Sequence, residues 1–322
     1  MTQIIQREPT TTATGTRPAV AVYGLTKHFG GSVAVDRLSF EIPTGVVAGF
    51  IGPNGAGKTT TMGMLLGLVR PTGGSAEVLG HPIANPTAYM SRVGALIEGP
   101  ALWPGLSGAR NLHALAALGG HDRAQVPELL DLVGLGSRGD DRFGDYSFGM
   151  KQRLGIAAAL VGDPNLLVLD EPTNGLDPAG INEMRRLIAR VGHGERTVLV
   201  SSHILSELEQ ICDWLIVIDH GALLYQGPTQ GFMDQAAPVV IATPEDVDDL
   251  DRLVELAGAG GFDAARDGDH LALAVDGHDP RLVAADLNRA AIAQDIVLRE
   301  LRVKRPDLES HYLSRIEGAN PS

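Results

Sequence analysis

Gly52-Pro53-Asn54-Gly55-Ala56-Gly57-Lys58-Thr59-Thr60, GPNGAGKTT, is the stretch on which the reading of this chain turns. Three glycines, one lysine and two threonines fall within nine residues, directly after the apolar run 46–51. That run reads as a strand, and residues 58–69 read as the helix behind it. Glycines alone would say little, because φ > 0 serves many loops. The lysine and the hydroxyl at fixed offsets sharpen the reading. Gly52, Gly57, Lys58 and Thr59 satisfy G-x-x-x-x-G-K-[ST] between a strand and a helix. In that setting the backbone N–H groups of residues 52–60 wrap phosphates and the helix N-terminus adds its dipole. Lys58 would reach the β/γ-phosphates of a nucleotide and the Thr59 hydroxyl would ligate Mg2+. The alternative is a tight turn with an exposed lysine.

The chain has 322 residues, room for one large domain or one domain plus a small one. With 44% hydrophobic and 20% charged residues it can build a globular core. A net charge of −13 makes it a poor general partner for nucleic acid, whose phosphates repel it. Cys212 is the one cysteine, which excludes an intrachain disulfide and a multi-cysteine metal cluster. Its apolar neighbours mark it as a buried, inert thiol. No segment reaches the roughly 18 uninterrupted apolar residues of a membrane helix. The start, MTQIIQREPTTTATGTRP, lacks the basic and apolar stretches of a secretory signal, so residues 1–17 read as a flexible tail. The expectation is a cytoplasmic protein whose membrane role, if any, needs a partner chain.

Short β-branched runs alternate with amphipathic stretches. Residues 18–23, 46–51, 166–169, 198–201 and 215–219 read as strands, several of them continuous and apolar, as in a parallel sheet covered on both faces. Residues 91–160 read as a helical insertion, with helical spacing over 112–118, 126–133 and 152–160. A different character begins after residue 227. Strand 238–243, acidic helix 244–257, strands 262–266 and 271–275 around Asp-Gly-Asp, helix 279–294 and strand 296–303 follow. This β-α-β-β-α-β order is the ferredoxin-like pattern. Residues 308–316 read as a closing helix. The expected domains are therefore 18–227 and 235–318.

A phosphate loop of this kind needs a carboxylate at the end of a neighbouring strand. Asn165–Thr173, NLLVLDEPT, supplies two. Asp170 would hold Mg2+ through water and Glu171 would orient or deprotonate the attacking water. Adjacent side chains at a strand end can diverge, one to metal and one to solvent. A third run ends in Ser201-Ser202-His203, where His203 could hydrogen-bond a γ-phosphate. The bland alternatives are an acidic turn and one of ten histidines without a role.

With these residues in place, the chain resembles the ATP-binding cassette (ABC) ATPases over residues 18–227. Tyr146–Arg153, YSFGMKQR, resembles that family's signature loop, with Ser147 and Gly149 at the matching serine and central glycine. Tyr146, Phe148 and Met150 depart from the usual LSGGQ. NGLDP at 174–178 resembles the D-loop, with Asp177 matching, and His203 matches the switch histidine. Phe29, in LTKHFGG, stands at the place of the aromatic that stacks on adenine; the alternative is a core aromatic. Glu98, in VGALIEGPALWPGLS, stands where the family usually carries glutamine at the junction of core and helical insert. It is similar there to the lantibiotic- and bacitracin-type exporters, and would accept from metal-bound water; the alternative is a polar strand end.

The resemblance implies an α/β P-loop NTPase core of ABC type with an antiparallel β subdomain and a helical insertion, joined to a small α+β domain. It implies ATP and Mg2+ as ligands, and two cassettes packed head to tail, each P-loop facing the partner's Ser147 across ATP. The second cassette is another copy or a paired chain. Coupling rests on ATP binding the closed pair better than the open one. A separate permease, holding the chain at the inner face of the cell membrane, receives the motion. Residues 98–106, with Trp103 between prolines, are the candidate contact; a tryptophan capping the local core is the alternative. The leading function is the ATPase of a drug, antibiotic or peptide exporter of the daunorubicin or bacitracin type. The rivals are a non-transport cassette acting on nucleic acid or ribosomes and an importer ATPase. In the C-terminal unit, scaffold or dimer packing is favoured over small-molecule sensing.

Overall fold

The computed structural model describes residues 17–192, 194, 196–202, 205–235, 238–275, 277–304, 308, 309, 311 and 312. The chain divides into two compact units, 1–226 and 227–322.

The first unit begins with β1 (Val20–Phe29) and β2 (Ser32–Ile42), an antiparallel pair. β3 (Val47–Ile51) leads into α1 (Lys58–Leu65). α1 stops short of residue 69 because Gly67 turns left-handed and Pro71 follows closely. β4 (Gly73–Val78) and the two-residue β5 (His81–Pro82) return to the first pair, giving an antiparallel sheet in the order β2-β1-β4-β5. Next come β6 (Val93–Leu96), α2 (Gly108–Gly119), α3 (Val126–Leu132) and α4 (Phe148–Ala159). The remaining elements are β7 (Leu166–Leu169), α5 (Pro178–Val191), β8 (Thr197–Ser202), α6 (Leu205–Leu208), β9 (Trp214–Asp219) and β10 (Ala222–Pro228).

The central sheet runs β10-β9-β3-β8-β7-β6. β3 is parallel to β8 and β9, and β7 is parallel to β8 and β6. β3, β7 and β8 are buried at every residue, which is why they read as unbroken apolar runs. The helical insertion expected over 91–160 begins later than that. Val93–Leu96 is a strand of the core sheet, paired with β7, and only the segment behind it turns helical. The two sheets share one core: the Phe40 ring of β2 lies 5.7 Å from that of Phe50 in β3, among buried residues of β1, β4 and α1.

The second unit opens with α7 (Thr229–Met233), then β11 (Val239–Pro244), α8 (Leu250–Ala259), β12 (Asp263–Asp267), β13 (His270–Ala274), α9 (Pro280–Ala293) and β14 (Leu298–Lys304). The sheet order β12-β13-β11-β14, all pairs antiparallel, is the ferredoxin-like arrangement of a βαββαβ chain. Asp267 pairs with His270, so the hairpin turns on Gly268 and Asp269 with Gly268 at positive φ. Val240, Leu253, Leu271, Leu273 and Leu287 fill the core between sheet and helices. Most of the helix expected over 308–316 lies outside the described residues.

Cys212 is buried, with its Sγ 3.0 Å from where a Cβ on Gly49 would sit. Burial pushes its thiol far above the usual cysteine range, and the neighbouring Asp213 carboxylate adds to the rise. A thiol reagent should therefore label the native chain only as it unfolds. Prompt labelling without denaturant, followed by absorbance, would contradict this packing.

Candidate functional site

Because β6, β7, β8 and β3 all run in one direction, their C-terminal ends open on the same edge of the sheet. The residues with chemistry in the sequence stand there. After Ile51 the chain turns through Gly52–Gly57 into α1. Gly55 and Gly57 have φ of 83° and 97°. A Cβ on Gly57 would meet the carbonyl oxygen of Ala34 at 2.4 Å, so only glycine lets the loop pass at this point. The Ala56 amide donates to Pro53 O at 3.1 Å, closing the loop on itself. Pro53, Asn54 and Gly55 are exposed at its crest, Ala56 is buried, and Thr60 is half-buried in the first turn of the helix.

Lys58 is not the exposed lysine of a simple turn. Only 5% of it is accessible. Its Nζ donates to Gly52 O at 2.7 Å and Pro53 O at 3.2 Å, and lies 3.6 Å from Glu171 Oε1. A buried cation needs such partners. Thr59, one residue on, faces outward, and its hydroxyl donates to Asp170 Oδ2 at 2.7 Å. The other oxygen, Asp170 Oδ1, accepts from Ser201 Oγ at 2.6 Å. The two adjacent carboxylates at the end of β7 therefore diverge, Asp170 toward the Thr59 hydroxyl and Glu171 toward the lysine. Glu171 is held at φ +46°, a conformation that costs a non-glycine residue energy. Its Oε2 accepts from Asn174 Nδ2 at 3.4 Å.

Glu98 follows β6, which is the parallel neighbour of β7, and is itself left-handed at φ +58°. The Asp170 amide donates to Leu96 O at 2.8 Å, so the ends of the two strands are tied together. Phe29 ends β1 and is 53% exposed, with Lys27 Nζ 4.7 Å from its ring centroid. It is not a core aromatic. His203 lies outside the described residues; Ser202, just before it, closes β8.

Ser147 and Asp177 stand at the starts of α4 and α5. Each caps its helix: Ser147 Oγ accepts from the Met150 amide at 3.3 Å and Asp177 Oδ1 from the Gly180 amide at 2.9 Å. Both line one cavity of about 370 Å3, together with Phe148, Gly149, Gly175 and Leu176. The buried Tyr146 anchors the segment before Ser147 through its hydroxyl, which donates to Arg138 O at 2.7 Å. No helix among the described residues is long and apolar enough to cross a membrane.

The ABC transporter family profile matches residues 35–174. The bacitracin transport ATP-binding protein BcrA of Bacillus licheniformis is 46% identical over 207 residues, 63% of this chain and 68% of that protein. The uncharacterized ABC transporter ATP-binding protein YcbN of Bacillus subtilis is 34% identical over 305 residues, covering 93% of this chain and 97% of its own length. The daunorubicin/doxorubicin resistance ATP-binding protein DrrA of Streptomyces peucetius is 40% identical over 216 residues, 66% of each chain. Among solved structures, an ATP-binding subunit of an ABC transporter superposes with a TM-score of 0.61 at 28% identity, over 67% of this chain and 92% of that one.

Ser201 and Asn174 lie in stretches singled out above, the Ser-Ser-His strand end and NGLDP, but the sequence assigned neither side chain a role at this edge. Ser201 is fully buried, donates to Asp170 and accepts from the Glu171 amide at 2.9 Å, so one hydroxyl holds both carboxylate residues in place. The only signal in the sequence is a hydroxyl at the end of an apolar run. Ser201→Ala should destabilise the first unit by about 1–3 kcal/mol, since it strands a buried amide and half of a carboxylate. An unchanged denaturation midpoint would show that Ser201 does not carry this load.

Proposed function

We propose that this chain, which belongs to the ATP-binding proteins of ABC transporters, is the ATPase subunit of an exporter that moves a drug, antibiotic or peptide through a separate permease. Membership of the family carries ATP binding and hydrolysis and a membrane permease partner. The names of the bacitracin and daunorubicin relatives support the class of cargo. The observation that carries the site assignment is the contact of the Thr59 hydroxyl with Asp170 beside the Lys58–Glu171 pair.

In this reading the amides of residues 52–60 hold the phosphates of ATP and Lys58 exchanges its loop carbonyls for β/γ-phosphate oxygens. Phe29 offers an exposed ring face to adenine. Glu171 orients or deprotonates the attacking water, steadied by Asn174, and His203 contacts the γ-phosphate. The Thr59 hydroxyl and the Asp170 carboxylate are hard oxygen donors in mutual contact, with Glu98, just past the neighbouring strand β6, to accept from a bound water, and this donor set fits Mg2+. When bound, the ion would be held by Thr59 and Asp170 and would supply positive charge to offset that of the phosphates.

The cavity at Ser147 is lined by no residue of its own P-loop, which favours a head-to-tail pair in which Ser147 and the amides behind it complete the partner's site. The pair is a homodimer or includes a paired cassette, docked at the inner face of the membrane through the permease. A groove lined by the side chains of Leu96, Ile97, Pro100 and Leu102 adjoins the Trp103 loop. Asn111, fully buried, accepts from the Trp103 amide at 2.9 Å and donates to the carbonyls of Trp103 and Ser107, so this loop is pinned while the indole stays 46% exposed. A pinned loop with an exposed indole suits a permease helix better than a cap on the local core.

Lys58→Ala should weaken ATP binding by about 1.5–3 kcal/mol in a calorimetric titration, the worth of a charge-assisted contact; wild-type affinity would refute the phosphate role. Glu171→Gln should keep ATP while turnover falls by about 10²–10⁴-fold, and wild-type turnover would exclude Glu171 as the base. Ser147→Arg should bind ATP as a single chain and stay monomeric in light scattering. An ATP-dependent dimer of that variant would count against the head-to-tail pair.

A further inference from the structure

Phe148 replaces a glycine of the usual signature loop with a large ring, and nothing in the reading above uses it. It is the first residue of α4, adjacent to Ser147, and 51% exposed. The ring nevertheless has a partner. A Cβ placed on Gly175 would lie 3.2 Å from Phe148 Cε1 and 3.5 Å from Cζ, so the ring rests against the backbone of the D-loop. Gly175 is left-handed at φ +78°, and a side chain there would be strained and tight against the ring. Alongside, Leu176 Cδ2 lies 3.5 Å from the Cβ position of Gly149, a second contact between the same two loops. Beneath them, Arg153 of α4 and Glu183 of α5 are 3.6 Å apart.

The D-loop in turn touches the catalytic group. Asn174, next to Gly175, donates from Nδ2 to Glu171 Oε2 at 3.4 Å and from its amide to Glu171 O at 3.1 Å. An unbroken series therefore runs within one chain: Ser147, the Phe148 ring, Gly175, Asn174, Glu171. In a head-to-tail pair the two ends of that series serve different nucleotides. Ser147 meets the partner's ATP, and Glu171 acts on the ATP of its own P-loop.

We propose that Phe148 is a positioning residue that couples the two nucleotide sites: engagement of Ser147 by the partner's ATP sets the D-loop, and through Asn174 the orientation of Glu171. A glycine at 148 would leave the two loops joined only through Leu176 and, further along the helices, Arg153 and Glu183. The ring tightens that link, so a site becomes fully active only when its neighbour is filled. This inference rests on the head-to-tail reading given above.

The test is steady-state ATP hydrolysis by the full-length chain carrying Phe148→Ala, Phe148→Leu or Phe148→Tyr, with Lys58→Ala and Glu171→Gln as controls and single-chain ATP affinity measured by calorimetry. Phe148→Ala should lower kcat by roughly fivefold to tenfold, bring the Hill coefficient for ATP to about 1, and leave single-chain affinity unchanged. Phe148→Tyr, which keeps the ring, should restore kcat and the Hill coefficient. Should Phe148→Ala lose its fold, Phe148→Leu gives the same comparison, with bulk but no ring. Wild-type kcat and Hill coefficient in the ring-less variants would overturn the coupling, as would loss of single-chain affinity or a Phe148→Tyr variant as impaired as Phe148→Ala. Failure of the underlying head-to-tail reading shows separately, as an ATP-dependent dimer of Ser147→Arg in light scattering.

Discussion

The carboxylate of Asp170 is nine-tenths buried and touches two hydroxyls, Thr59 from the first turn of α1 behind β3 and Ser201 from β8. A charge in that position is tolerable only with such donors. Satisfying it fixes the ends of three neighbouring strands relative to one another. The glycine loop, the carboxylate of Glu171 and the last residues of β8 can then be built as extensions of a single edge. An antiparallel sheet would send alternate strand ends to opposite sides, and no such convergence would arise. The parallel order is thus a prerequisite of the chemistry.

Much of this was legible because local constraints leave local marks. Leu166–Leu169 is buried on both faces and reads as a four-residue apolar run. The glycine loop reads as such because its amides, its lysine and its hydroxyl must occur at fixed offsets from one turn. The small domain was legible from element order alone, since βαββαβ has one common way to close. Contacts that span the chain leave no such mark. Ser201 meets Asp170 across 31 positions, and a serine at a strand end looks like any other. The four residues of β6, Val-Gly-Ala-Leu, are too few to show a period, and they were absorbed into the helical stretch that follows. β4 begins with two glycines and takes its strand conformation from pairing with β1.

The strained backbone of Glu171 and Glu98 belongs to the same economy. Both carboxylates leave the sheet through left-handed residues, which turns the chain sharply after the last ladder bond. The cost is borne by the paired strands β7 and β6 before them.

The buried sulfur of Cys212 has a practical consequence. With a single thiol in the whole sequence, and that one sealed behind Gly49, the natural chain is already a silent background for site-directed chemistry. One cysteine introduced on the exposed rim of a signature helix or beside the tryptophan loop would be the sole attachment point for a spin label or fluorophore. Distances between two copies could then be followed through a working cycle without first stripping the protein of its own sulfur.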